Sequence, residues 1–197
     1  MIRAFILFFI LLLNFNFSKS ENINNITIID VIRKNQNLSE FNKYLKLSQL
    51  DQILDKNTAW NWTIFAPNNE AFDELKKVNK NLFDNIPLIR NLLMDHILIG
   101  KKSSKNLNEI SNEITVSNKP LQLFNENQLY VKDMVVINED YSAKNGVIHS
   151  IACVMFVQPS IEDDRLSENL QKSFPITSCC MRNEQELNLW KSSLKSR

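Results

Sequence analysis

The apolar residues of this chain keep a helical spacing as far as about Gly100 and then switch to a spacing of two. Ile28, Ile29, Val31 and Ile32 lie at near-helical spacing between Thr27 and Asn35. Phe41, Tyr44, Leu45, Leu50, Ile53 and Leu54 form an apolar face behind Ser39, whose hydroxyl is a reasonable N-cap for the next turn. Leu88, Ile89, Leu92, Leu93, His96 and Ile97 make a further helical face. From Glu113 onward the pattern alternates through Ile114-Val116, Leu121-Leu123, Leu129-Val131 and Val135-Ile137, then runs from Val147 to Val157. Alternation of this kind belongs to strands with one buried face. Helices first and strands later predict an α+β class, with helices segregated from a mostly antiparallel sheet.

One strand interrupts the helical half. Trp62 to Phe65 is β-branched and aromatic, and Ala66-Pro67-Asn68 stops it. Pro67 has no ladder donor, and Asn68 can cap a new helix in which Glu70 meets the positive end of the dipole. Ala71, Phe72 and Leu75 supply that helix with its buried stripe. Glycine is scarce, with only Gly100 and Gly146. Gly146 follows Asn145, and the pair suits a tight turn with positive φ, so backbone geometry is expected to require it.

The first twenty residues read as a leader. Arg3 gives a positive start, Ala4 to Leu13 is unbroken apolar sequence, and Ser18-Lys19-Ser20 offers small residues for a cut after Ser20. A spanning helix needs roughly 20 apolar residues, and Asn14 and Asn16 interrupt this run. Removing residues 1–20 takes Arg3 and Lys19 with it, which leaves 21 basic residues against 22 acidic. With no basic excess, nucleic acid is not an expected partner. The polar, cationic end Lys191 to Arg197 lacks the hydrophobic tail of a lipid-anchor signal, so no stable membrane anchor is expected. Three sequons follow the leader, at Asn25, Asn37 and Asn61, and in a secreted chain each is a glycan candidate. The cysteines are Cys153, Cys179 and Cys180. Cys153 can bond one tail cysteine and leave the other for a covalent dimer, or it can stay buried and free.

Thr63-Ile64-Phe65-Ala66-Pro67-Asn68-Asn69-Glu70-Ala71-Phe72 and Asn145-Gly146-Val147-Ile148-His149 stand about eighty residues apart, with Leu92-Leu93-Met94-Asp95-His96 between them. In this order they resemble the two signature boxes and the intervening leucine-rich stretch of the fasciclin domain. Val136 to Lys144 resembles the run before the second box. The resemblance covers about Thr27 to Gln158. With the leader read at 1–20, it implies a fasciclin domain at 24–158, which leaves a tail at 159–197 in which Leu187, Trp190 and Leu194 have the spacing of a short helix. The fold it implies is helices packed on a wedge of two small β-sheets. The role it implies is secreted, extracellular adhesion or matrix binding. Thr63, Phe65, Ala66, Pro67, Asn69, Ala71, Phe72, His96, Asn145, Gly146 and His149 are its motif residues here. Asp95 stands where the family usually has Tyr, Ala152 where Asp often follows the second box, and Gln49 where Gly is frequent.

Asp140 with Tyr141 is the receptor-binding candidate. In some fasciclin domains an Asp and an aliphatic residue at this place are implicated in integrin binding, and an exposed carboxylate can complete the shell of a hard cation. The plainer reading is a solvated acidic loop between strands. His96 and His149 are the only histidines, and both fit hydrogen-bonded core positions better than a metal site, which would need further ligands. No phosphate loop, serine elbow or paired catalytic groups occur, so the expectation is a binding protein without enzyme activity, metal or cofactor. Its expected partner is a cell-surface receptor, an integrin-type one among the candidates, or a matrix component. The rival reading is a soluble carrier or signalling factor that holds an apolar ligand in a groove between helices and sheet.

Overall fold

The computed structural model describes residues 25–56, 59–107, 110–132, 134–157, 180 and 183–195. The leader and Cys179 lie outside them. Helix α1 (Ile28–Lys34) opens with a capping box: Thr27 Oγ1 accepts from the Asp30 N–H and Asp30 accepts from the Thr27 N–H. Helices α2 (Ser39–Leu47) and α3 (Leu50–Leu54) follow, separated at Gln49, whose φ is +58°. Ser39 is not the cap of α2. Its hydroxyl and the Glu40 N–H both turn to Asn69 Oδ1, from another part of the chain.

Strand β1 (Trp62–Pro67) turns into α4 (Asn69–Val78) through Asn68, whose side chain accepts from the Ala71 N–H at 2.9 Å. Helix α5 (Ile86–Met94) ends before His96, which therefore follows the helix rather than sharing its face. The rest is β2 (Ile97–Ile99), β3 (Ile110–Ile114), β4 (Pro120–Asn125), β5 (Leu129–Val131), β6 (Met134–Ala143) and β7 (Gly146–Ile151). Cys153 lies just beyond β7, not within it. Helix α6 (Glu184–Lys195) packs back on the body, where Leu187 and Trp190 are fully buried.

The strands form one sheet in the order β2-β1-β7-β6-β5-β4-β3. This corrects the expectation of two small sheets. The cause is β6, ten residues long, which pairs with β5 at one end and with β7 over the remainder. Register shifts between Val136 and Asn138 and between Asn138 and Tyr141 bend it, so the ladder continues while the sheet folds over. A bridge between Leu98 and Thr115 brings β2 toward the end of β3 and nearly closes the ring. All pairs are antiparallel except β1 with β7. That parallel pair lies second and third from the β2 edge, and every residue of both strands is buried.

Two apolar clusters use opposite faces of β1. Trp62, Ile64 and Ala66 join the helices, with Phe41, Phe72, Leu92, Ile148 and Phe156. Phe65 faces the other way, with Leu121, Leu123, Val131, Val136 and Ile151. Among the described residues these side chains pack between the helices and that face of the sheet, where a carrier would need its groove.

Gly146 is demanded twice, by a φ of +157° that L side chains rarely adopt and by a close contact. It sits opposite Trp62 in the parallel register, and a Cβ there would lie 2.1 Å from the Trp62 carbonyl oxygen. Asn145 does not have positive φ. Its side chain accepts from the Ile28 N–H at 2.8 Å and donates to the Leu54 carbonyl at 2.7 Å, and its carbonyl takes the Trp62 N–H at 2.9 Å. One asparagine thus ties α1, α3 and β1 to the β6–β7 turn.

Candidate functional site

The motif residues converge on the segment between β2 and β3. Thr63 Oγ1 donates to the Gly100 carbonyl at 2.7 Å and accepts from the Lys102 N–H at 2.8 Å. His149 Nε2 lies 2.8 Å from the Lys102 carbonyl, and its Nδ1 is 3.3 Å from the Asp140 N–H. The first contact needs a proton on Nε2 and the second a lone pair on Nδ1, so the neutral Nε2–H tautomer satisfies both. The His149 ring stacks on Phe65, with centroids 5.4 Å apart. Burial lowers the pKa of this imidazole below the usual histidine value.

Asp140 belongs to the same assembly. It lies within bulged β6 at φ +59°, not in a loop between strands. One oxygen accepts from the Ser104 N–H at 3.0 Å and the other from the Ser104 hydroxyl at 2.5 Å. A bidentate hold of this kind pins the Ser104–Asn106 turn, and Asn125 secures it again by donating to the Ser104 carbonyl at 2.7 Å. The carboxylate is therefore half-buried and occupied by the chain itself, and Tyr141 beside it is half-buried too.

His96 lies apart, on the far side of β1. Its Nδ1–H donates to the Leu92 carbonyl at 2.9 Å, and its Nε2 accepts from the Met155 N–H at 2.8 Å. The ring is fully buried, and desolvation lowers its pKa to about 4. The two histidines are separate, and among the described residues no group of three or more His, Cys, Asp or Glu could hold a metal. Asn69, the remaining polar motif residue, joins α4 to the start of α2 by donating to the Gln36 carbonyl and accepting from Glu40.

Next to His96, Asp95 is the centre of a buried polar cluster that sequence reasoning missed. It is fully buried and pairs with Lys119 Nζ at 2.7 Å, itself buried. The same oxygen accepts from the Val157 N–H at 3.0 Å and from Trp190 Nε1 at 3.3 Å, and the other accepts from the Ser117 hydroxyl. Lys119 Nζ also stands 5.5 Å from the centroid of the Trp190 ring. Asp95 thus joins the end of α5, the β3–β4 turn, the chain after β7 and helix α6. Asp95 thereby acts as a clasp for helix α6. Cys153 and Cys180 add a disulfide across 27 positions, worth about 3 kcal/mol in chain entropy.

All three sequon asparagines, Asn25, Asn37 and Asn61, are exposed. No helix among the described residues is long and apolar enough to cross a membrane. On the helical side an open groove is lined by Leu47, Ile53, Ile86, Pro87 and Arg90.

The fold is a helix-capped, bulged mixed sheet with one interior parallel pair, and its polar motif side chains fasten the segments between elements. The Fasciclin domain model matches residues 36–157, and the chain belongs to the fasciclin domain family. It is similar to the FAS1 domain pair of the insect cell adhesion molecule Fasciclin I, with a TM-score of 0.57 and 19% identity over 66% of this chain and 51% of that one. It is 32% identical over 97 residues to the uncharacterized protein sll1735 of Synechocystis, covering 49% of this chain and 73% of that protein. It is 26% identical over 164 residues to the transforming growth factor-beta-induced protein ig-h3 of Sus scrofa, covering 81% of this chain but 24% of that protein.

Proposed function

We propose that this protein is a secreted adhesion or matrix module that binds a cell-surface receptor or matrix partner through the fasciclin domain seen here. The observation that carries the reading is membership of the fasciclin family together with the fold shared with a cell adhesion molecule. Three exposed sequons, the Cys153–Cys180 bond and the leader-like sequence of residues 1–20 support an extracellular setting, where disulfides persist. With Cys153 and Cys180 paired, Cys179 is the cysteine left over, and we assign it to a covalent dimer. Intact mass of secreted material, with and without reductant and glycosidase, reads the cut, the sugars and the dimer together. A leader still attached and no sugar would sink the reading.

The receptor contact is proposed at Asp140, Tyr141 and the turn that Asp140 holds. Attachment of cells to coated protein tests this with three folded variants. Asp140→Asn and Tyr141→Ala lower attachment if the surface is right. Ser104→Ala separates two roles of Asp140: it leaves attachment intact if the carboxylate itself ligates a receptor cation, and lowers it if Asp140 acts by shaping the turn. Attachment unchanged in all three removes this surface from consideration.

A further inference from the structure

The segment from Gly100 to Asn106 carries three cations in the order Lys101-Lys102-Ser103-Ser104-Lys105, bracketed by uncharged residues. It is no loose tether. Thr63 holds Gly100 and Lys102, His149 holds the Lys102 carbonyl, Asp140 holds Ser104 from one side and Asn125 from the other. A turn fastened at so many places gives up little further freedom on binding. Lys101 and Lys105 are exposed, and among the described residues neither is ion-paired. Among the described residues, three carboxylates on neighbouring strands are already engaged. Glu113 takes Lys102 Nζ at 2.7 Å, Asp140 takes Ser104, and Glu139 accepts the Leu129 N–H at 2.7 Å.

We propose that this turn is a docking site for a sulfated polysaccharide. Lysines act as point charges and suit repeated single anions along a polymer. Residues 21–197 hold 21 basic and 22 acidic residues, so the cations of this turn are a local excess on a nearly neutral chain. A thin linear polyanion can reach one turn and stay clear of the acidic remainder. Lys102 shares its charge with Glu113 and plays the smaller part, while Lys101 and Lys105 make the outward contacts. The proposal rests on the extracellular reading only for where such a polymer is met; the binding itself is tested apart from it.

The full secreted protein is run on immobilised heparin at neutral pH. The native chain is retained at physiological salt. Lys101→Gln/Lys105→Gln elutes early, and its slope of log affinity against log salt is shallower by about 1.5, as two lost counterion-releasing contacts require. The control is Lys46→Gln/Lys80→Gln, two exposed lysines elsewhere with the same change in net charge, and it behaves as the native chain. Three results overturn the proposal: no retention of the native chain, equal loss in both double variants, or equally tight binding to hyaluronan or phosphatidylserine vesicles. Cell attachment that fails while heparin retention persists counts against the receptor surface alone, and the reverse counts against this site alone.

Discussion

Replacing Lys119 by methionine removes the positive partner of a carboxylate that has no access to water. Asp95 and Lys119 are 0% and 2% exposed and 2.7 Å apart. Methionine fills much of the lysine volume, so the main effect is an uncompensated buried anion, left with the Ser117 hydroxyl, the Val157 N–H and the Trp190 indole as donors. Breaking a buried pair in this way costs about 3–5 kcal/mol, against a total stability of about 5–15 kcal/mol. For a chain of this size that lowers Tm by about 6–20 °C. Asp95→Asn strands the ammonium instead and is expected to cost a similar amount. The double variant Asp95→Asn/Lys119→Met removes both charges and keeps an acceptor oxygen. Its loss is smaller than the sum of the singles by at least about 1.5 kcal/mol. Urea unfolding followed by both tryptophan fluorescence and circular dichroism measures each corner of the cycle. A Lys119→Met loss below about 1 kcal/mol, or additive singles, would refute the idea that this pair anchors the C-terminal helix.

Trp190→Phe keeps most of the buried ring but deletes the donor to Asp95, so it is expected to cost about 1.5–3 kcal/mol in the same urea assay. Gly146→Ala forces a methyl into the Trp62 carbonyl and separates β1 from β7; a loss of about 3 kcal/mol or more, or no soluble protein, is the expected outcome. Gln49→Gly relieves a left-handed residue between α2 and α3 and stabilises by about 0.5–1 kcal/mol, read as a higher urea midpoint. The fold holds His96 neutral down to about pH 4, whereas the unfolded chain binds that proton near pH 6.5. The unfolded state therefore carries more protons between these values. Stability is level above about pH 6.5 and falls by about 3 kcal/mol as pH drops to about 4, with His149 adding in the same direction. His96→Gln flattens this slope, and a native midpoint unchanged from neutral pH to about 4.5 would contradict it.

The helical face of α5, the strand-to-helix corner at Pro67 and the buried, hydrogen-bonded state of both histidines were legible because each depends on local periodicity or on a short spacing. The union of the strands in one sheet was not. It depends on β6 being long enough to serve two neighbours, and a bulge leaves little trace in an alternating pattern. Ser39 has the chemistry of a cap, yet Asn69, 30 positions later, supplies the acceptor. Asp95 was read from its own position as the loss of a tyrosine. Its meaning lies in Lys119 and Trp190, 24 and 95 positions away. The one local hint was a charged residue closing an apolar helix beside a buried histidine, with a lysine set just before the alternating strands. Asp140 carried the right chemistry for a receptor contact, and no pattern in its neighbourhood revealed that Ser104 already occupies it.

The parallel pairing of β1 with β7 has a consequence for how the chain comes into being. Trp62 must wait for Gly146, and Asp95 for Trp190, 95 positions downstream. At about 5–20 residues per second, a ribosome takes roughly 5–19 s to deliver that last partner. Throughout this interval the helices have emerged with their oily undersides bare, and the strand meant to cover them has only one neighbour. Until Trp190 has emerged, that bare surface is open to the wrong partners as well as the right one. A chain cut before Trp190 would leave the Asp95–Lys119 pair without the ring that covers it.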